Sequence, residues 1–186
     1  MPRLPIEPYV FPDSLLSSDE SPPDDNSRWW VMHTRPRQEK SLARELCLAG
    51  VRFYLPVISK RVRVNGRVAK SCLPLFPGYV AVRGNEQDLA ATLETRRVVN
   101  VLDVMFQEEF QTDMHRLHRL IESGRPLTRE DRLAAGDRVV IRKGPLAGLE
   151  GDVLRCAAGH RFLVQVNFIQ RGASVLVDDF ELDFID

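Results

Sequence analysis

Among 186 residues, the side chains whose types could do bond chemistry are few: His115 and His118, the acidic pair Asp178-Asp179, and the cysteines Cys47, Cys72 and Cys156. The two histidines sit three apart on a predicted helix, so both rings share a face and could ligate a metal, but no third ligand stands in register. Asp178-Asp179 reads as a strand-end turn. The cysteines are odd in number and lack Cys-x-x-Cys spacing, which argues for reduced thiols in a cytoplasm and against a zinc site or a disulfide frame. No Ser-His-Asp set, phosphate loop or paired-carboxylate motif is legible. The chain is therefore expected to need no cofactor or metal and not to be an enzyme.

Guanidinium and aromatic groups remain. Basic and acidic residues balance at 26 each, but they are segregated. Residues 1–27 hold one basic and six acidic side chains, and residues 28–83 hold twelve basic and two acidic. Such segregation points to a polyanion or an acidic partner, or else to a solvated basic face. Arg37, Lys40 and Arg44 recur at i, i+3 and i+7 on a predicted helix over 37–49, opposite Leu42, Leu46 and Ala49. Arg61, Arg63 and Arg67 flank Asn65-Gly66 in an alternating run that predicts a basic hairpin arm.

The aromatics of interest lie in Leu73-Pro-Leu-Phe-Pro-Gly-Tyr-Val-Ala-Val82. Pro74 and Pro77 lack an N–H, so a strand begins only at Gly78 or Tyr79. Tyr79, Ala81 and Arg83 then face one side, Val80 and Val82 the other. Phe76 and Tyr79 read either as core aromatics at a strand start or as a fixed apolar pocket at the lip of a sheet.

The elements that position these groups follow from pattern. Residues 1–27, with six prolines, read as a disordered acidic tail that could screen the basic segment. Trp29–Thr34 reads as a buried strand, with Pro36 at the first turn of the helix that Gly50 stops. Strands follow over 51–59 and from Tyr79, a helix over 86–96 with Leu89 and Leu93 inward, a strand over 98–104 and a helix over 112–123. Residues 124–134 read as a linker. Beyond it, 137–142, 148–155, 160–168 and 173–177 read as short strands punctuated by glycine, hence a small barrel or sandwich. No run of about 18 apolar residues exists to span a membrane, and no secretory signal is visible.

Three blocks together resemble the NusG family of transcription elongation factors: Trp29-Trp30-Val-Met-His-Thr34, Phe76-Pro-Gly-Tyr79, and Gly136-Asp-Arg-Val-Val-Ile-Arg-Lys-Gly-Pro-Leu-Ala-Gly-Leu-Glu-Gly-Asp-Val153. The segment 51–82 looks closer to the specialised bacterial RfaH-like paralogues. The resemblance implies an α+β N-terminal (NGN) domain over 28–123, an antiparallel sheet flanked by helices, and a five-stranded all-β KOW barrel over 135–186. It also implies a cytoplasmic monomer acting in transcription elongation, antitermination or termination.

The resemblance further implies sites. Val31, His33, Phe76, Tyr79 and Ala81 match positions that dock the clamp helices of the RNA polymerase largest subunit. Asp88, Leu89, Ala90 and Ala91 match those that reach the opposite pincer, on the second-largest subunit. Arg35, Arg37, Lys40, Arg44, Thr95 and Arg96 match contacts to non-template DNA. Phe168, Ile169 and Arg171 match the KOW loop that binds ribosomal protein S10 or Rho; Ile169 stands where the housekeeping pattern has an aromatic, which weakens the case for Rho. His33 reads equally well as a core histidine. The glycines and β-branched residues of 136–177 disfavour helix, so a constitutive barrel is expected. The alternative is an RNA- or ribosome-binding KOW protein.

Overall fold

The computed structural model describes residues 8–17, 26–64, 67–130, 136–156, 159–169, 171–177 and 181–184. The tip Asn65-Gly66, the pair Asp178-Asp179 and most of the acidic tail lie outside the described residues. The chain divides into two compact units, Met1–Gln107 and Glu108–Asp186.

In the first unit, β1 (Val10–Phe11), β2 (Arg28–Thr34), β3 (Arg52–Tyr54), β6 (Tyr79–Gly84) and β7 (Val98–Asp103) form one antiparallel sheet in the order β1-β3-β6-β2-β7. The strand behind the proline bend is thus central. β4 (Val57–Val64) and β5 (Arg67–Pro74) make a separate two-stranded arm.

Helices α1 (Glu39–Ala49) and α2 (Glu86–Glu94) cover one face of the sheet. Trp30, Met32, Val80 and Val82 point there, as period-two alternation requires, and meet Leu42, Ala43 and Leu46 of α1. Fully burying each leucine contributes about 1.5–3 kcal/mol. The buried stripe of α1 uses Ala43; Ala49 is exposed, because the helix ends there. Gly50, at φ 72°, sends its N–H to Cys47 O, and Val51 N–H bonds Leu46 O, which closes the helix with a left-handed cap. On α2, Leu93 faces solvent, contrary to the expected leucine pair, and Thr92 is buried in its place, its hydroxyl satisfied because Thr92 Oγ1 donates to Asp88 O at 2.7 Å within the helix.

The tail needs a partial correction. Residues 9–17 are ordered onto the sheet: Val10 and Phe11 pair with Tyr54 and Phe53, and a 3-10 turn over Asp13–Leu16 buries Leu15 and Leu16. Apolar side chains at strand and turn spacing outweigh the acidic, proline-rich composition around them.

The second unit holds α3 (Gln107–Glu122) after its first residue, and β8 (Thr128–Glu130), β9 (Asp137–Ile141), β10 (Glu150–Cys156), β11 (Gly159–Val166), β12 (Arg171–Val177) and β13 (Leu182–Phe184). The sheet order is β13-β9-β10-β11-β12-β8. Helix α3 starts five residues before the expected 112. It is counted with the strands, whereas the sequence reading closes the first domain at 123. Phe110 meets Phe168 edge-on at 5.8 Å, and Arg119 Nη2 donates to Ala147 O at 2.7 Å.

The expected linker is also structured in part. Thr128–Glu130 adds a sixth strand beside β12, Ser174 Oγ donates to Glu130 Oε1, and Arg125 pairs with the buried carboxylate of Glu181. Phe162, Val164 and Val166 are buried together, as alternation predicts, but Leu163 of the opposite face is buried too.

Candidate functional site

Two proline turns lie side by side at one end of the first sheet. In Phe76-Pro77-Gly78-Tyr79, Tyr79 N–H bonds Phe76 O at 3.2 Å and Gly78 has φ 86°. In Arg35-Pro36-Arg37-Gln38, Gln38 N–H bonds Arg35 O at 3.1 Å and Arg37 has φ 62°. Proline followed by a positive φ is the signature of a type II turn, whose third position ordinarily takes glycine. Pro36 therefore belongs to a turn ahead of α1 and not to the helix. Thr34 N–H donates to Gly78 O, and Gly78 N–H donates to Glu39 Oε1 at 2.7 Å, which joins the turns to the start of α1.

Registers then fix the sheet face opposite the helices. Val10, Tyr54, Ala81, Val31 and Leu102 form one row across all five strands. Tyr79, His33 and Asn100 form the next. The His33 and Tyr79 rings stack at 5.4 Å, with His33 exposed and Tyr79 half-buried. His33 is thus a surface residue, not a core histidine. The expectation that Phe76 lines an open socket is not met: it is 2% exposed, and Val31 and Ala81 are 2% and 6% exposed. Leu75 N–H bonds Pro56 O, which draws Leu75 and Phe76 inward ahead of the turn. On this face the structure leaves the His33–Tyr79 pair open.

Asn85 caps α2: its side chain accepts from Gln87 and Asp88 N–H, and Asp88 Oδ2 accepts from Asn85 N–H. Within Asp88–Ala91, Leu89 and Ala91 pack on the helix-side core and Ala90 is exposed.

A cavity of about 460 Å³ is lined by Arg35, Pro36, Gln38, Thr95, Arg96 and Arg97. It brings three expected nucleic-acid residues together; Arg37 sits within its proline turn, while Lys40 and Arg44 lie farther along α1 and do not line it. Arg96, at φ 57°, follows the last turn of α2, again a position where glycine is usual. Two arginines thus hold left-handed backbone that costs each about 1–2 kcal/mol.

The cavity is held in shape by residues the sequence reading did not single out. Arg97 Nε and Nη2 donate to Glu45 Oε1 at 2.8 and 2.5 Å, Arg97 Nη1 donates to Gln38 Oε1, and Arg35 N–H bonds Arg97 O. The Glu45 hydrogen bond raises the Arg97 pKa further above its already high value, so this cation is permanent. Only the Arg-Arg dipeptide itself hinted at a role, because the pairing with Glu45 spans 52 residues.

In the second unit, Phe168 and Ile169 occupy a 3-10 turn between β11 and β12, half-buried, with Arg171 starting β12. A smaller cavity of about 260 Å³ is lined by Asp113, Arg116, Arg138, Glu150, Asp152 and Gln165 among others. Glu150 lies 3.3 Å from Arg116 and 3.5 Å from Arg138, a mutually neutralising set. His118 is buried on α3, and burial lowers its pKa despite Glu122 beside it. Among the described residues, no group of three or more His, Cys, Asp or Glu could hold a metal ion, and no helix is long and apolar enough to cross a membrane.

The first unit is thus an α+β sheet domain with a basic, arginine-lined cavity, and the second is a small unit of one helix and a six-stranded sheet. Residues 27–117 match the model of the NusG family, described as "Transcription termination factor nusG". Nineteen chains among solved structures match. One, described as "Domain interaction in Thermotoga maritima NusG", shares 20% identity, covers 87% of this chain and 98% of its own, and gives a TM-score of 0.48. No curated protein matches the chain.

Proposed function

We propose that this protein is a transcription elongation and antitermination factor that binds RNA polymerase through its first unit and acts without catalysis. The observation that carries this reading is the NusG-family match over residues 27–117, the stretch that holds both proline turns, the His33–Tyr79 pair and the arginine cavity. Bridging the clamp helices of the largest subunit and the pincer of the second-largest would favour the closed clamp over the paused one by differential binding. The open His33–Tyr79 pair is the contact on the clamp side, with Ala90 on the other. Val31, Phe76 and Ala81 support that surface from beneath.

The arginine cavity suits a nucleic-acid strand. Arg35 and Arg96 offer guanidinium groups that neutralise phosphate and pair with or stack on bases, and Arg37 adds charge at the rim. Non-template DNA is the strand proposed. The extended β4–β5 arm, basic by sequence, supports an RfaH-like specialisation, and Phe168, Ile169 and Arg171 are the proposed contact to ribosomal protein S10 or Rho.

In-vitro transcription on templates with and without a pause element, plus pull-down of polymerase, tests this reading. Retention of polymerase after nuclease treatment and shorter pauses are expected. Retention lost on nuclease treatment would instead make this an RNA- or ribosome-binding protein.

A further inference from the structure

The edge of β3 carries a short strand whose hold is distinct from that of the rest of the sheet. Val10 and Phe11 pair with Tyr54 and Phe53, and Leu55 N–H donates to Tyr9 O at 2.6 Å. Pro12 has no N–H to extend the ladder, and the 3-10 turn that follows buries Leu15 and Leu16, which are 0% and 4% exposed. The four strands β3, β6, β2 and β7 are hydrogen-bonded to one another without it. A two-residue strand is at the short end for a sheet, so side chains and not the ladder fix this segment.

Those side chains are read at set offsets. Phe11 lies 6.5 Å from Phe53, ring to ring, and packs on the helix-side core. Val10 lies on the other face, in the row of Tyr54, Ala81 and Val31. Leu15 and Leu16 belong to the buried set but not to the helix-side cluster. An extended backbone giving edge hydrogen bonds, with alternate side chains and a pair of leucines giving selectivity, is how sheet edges take peptides.

We propose that the β3 edge is a peptide-binding site whose resident ligand is the chain's own Tyr9–Leu16 segment. The site accepts an extended peptide with a β-branched–aromatic pair, a proline, and two leucines three residues beyond. While the segment is seated, it completes the row that contains Ala81 and Val31; when it leaves, that row ends at Tyr54 and the β3 edge is bare. This is a local opening, separate from unfolding of the four-stranded remainder. It does not depend on polymerase being the partner.

The full-length chain is used throughout the test. Native-state hydrogen exchange should show the Leu55 amide exchanging at least tenfold faster than amides of the β2–β6 ladder. Exchange of Leu55 at the ladder's rate overturns the proposal, because the segment then opens only with the whole sheet. In a second arm, the variant Leu15→Asp with Leu16→Asp releases the segment, and a fluorescent peptide of residues 8–17 is titrated against it. At least tenfold tighter binding than to the unaltered chain is expected, abolished when the peptide's own leucines are aspartates. Equal binding to both chains, or loss of the whole sheet in the variant, overturns it.

Discussion

The Glu39 carboxylate, buried at the first residue of α1, accepts the N–H of Gly78 at 2.7 Å, in the turn that opens the central strand. One hydrogen bond thus couples the helix that carries the basic stripe to the turn that presents Tyr79. A carboxylate buried this way is stabilised only while that donor faces it. Glu39→Ala is expected to destabilise the fold by about 1.5–3 kcal/mol, and Glu39→Gln, which keeps the acceptor oxygen, by less. Urea unfolding of the three proteins checks the order. Faster exchange of the Gly78 amide in Glu39→Ala alone checks the cause.

Phe76 and Tyr79 stand at opposite ends of the same turn, yet only Tyr79 reaches the surface. Phe76→Ala should open a core cavity and cost about 3–5 kcal/mol, so any loss of polymerase binding would follow unfolding. Tyr79→Ala with His33→Ala removes the stacked pair at the surface. It should weaken polymerase binding at least tenfold with an unfolding midpoint near that of the unaltered chain. Undiminished binding by the double variant would remove His33 and Tyr79 from the interface.

Much of this arrangement was legible in the sequence. Proline positions located the start of β6, alternation assigned its two faces, and Gly50 marked the end of α1. What the sequence hid was set by contacts distant along the chain. Nothing local to Glu45 announces Arg97, and the sequence leaves Phe76 open between core and pocket until Leu75 is seen bonded to Pro56. Tyr9–Leu16 was masked by an acidic, proline-rich context although its valine, phenylalanine and leucines carried the signal. Arg37 and Arg96 were legible as charges but not as left-handed residues, because that backbone is normally announced by glycine.

The two left-handed arginines give a separable prediction. Arg96→Gly relieves about 1–2 kcal/mol of backbone cost and adds about 0.5–1 kcal/mol of unfolded-state entropy. Stability should therefore stay level or rise slightly, while affinity for single-stranded DNA falls. Arg97→Ala should do the reverse in stability, since it strands Glu45 and frees Gln38. Arg35→Ala with Arg96→Ala should lower the slope of log affinity against log salt by about 0.7 for each phosphate that is no longer neutralised. Fluorescence anisotropy at several salt concentrations, beside urea unfolding, measures both. An unchanged slope would count against phosphate binding at this cavity.

His118 gives a pH prediction for the second unit. Burial disfavours its charged ring and pushes its pKa below the ordinary value; the Glu122 carboxylate, 3.4 Å away, acts the other way, and His115 adds to the lowering. Glu122 is 61% exposed, so water screens its attraction, and burial wins. A histidine whose folded pKa lies below its unfolded value of about 6.5 takes up its proton more readily when unfolded. Its contribution to stability is therefore complete above about pH 6.5 and is lost as pH falls through the folded pKa. His118→Gln cannot titrate, so its urea midpoint should fall less between pH 7.5 and 5 than that of the unaltered chain. Every other titrating group is common to both proteins, so the difference between the two slopes reports His118. Parallel slopes would mean that the attraction of Glu122 offsets burial and leaves the folded and unfolded rings equally easy to protonate, and a smaller fall in the unaltered chain would mean that Glu122 outweighs burial.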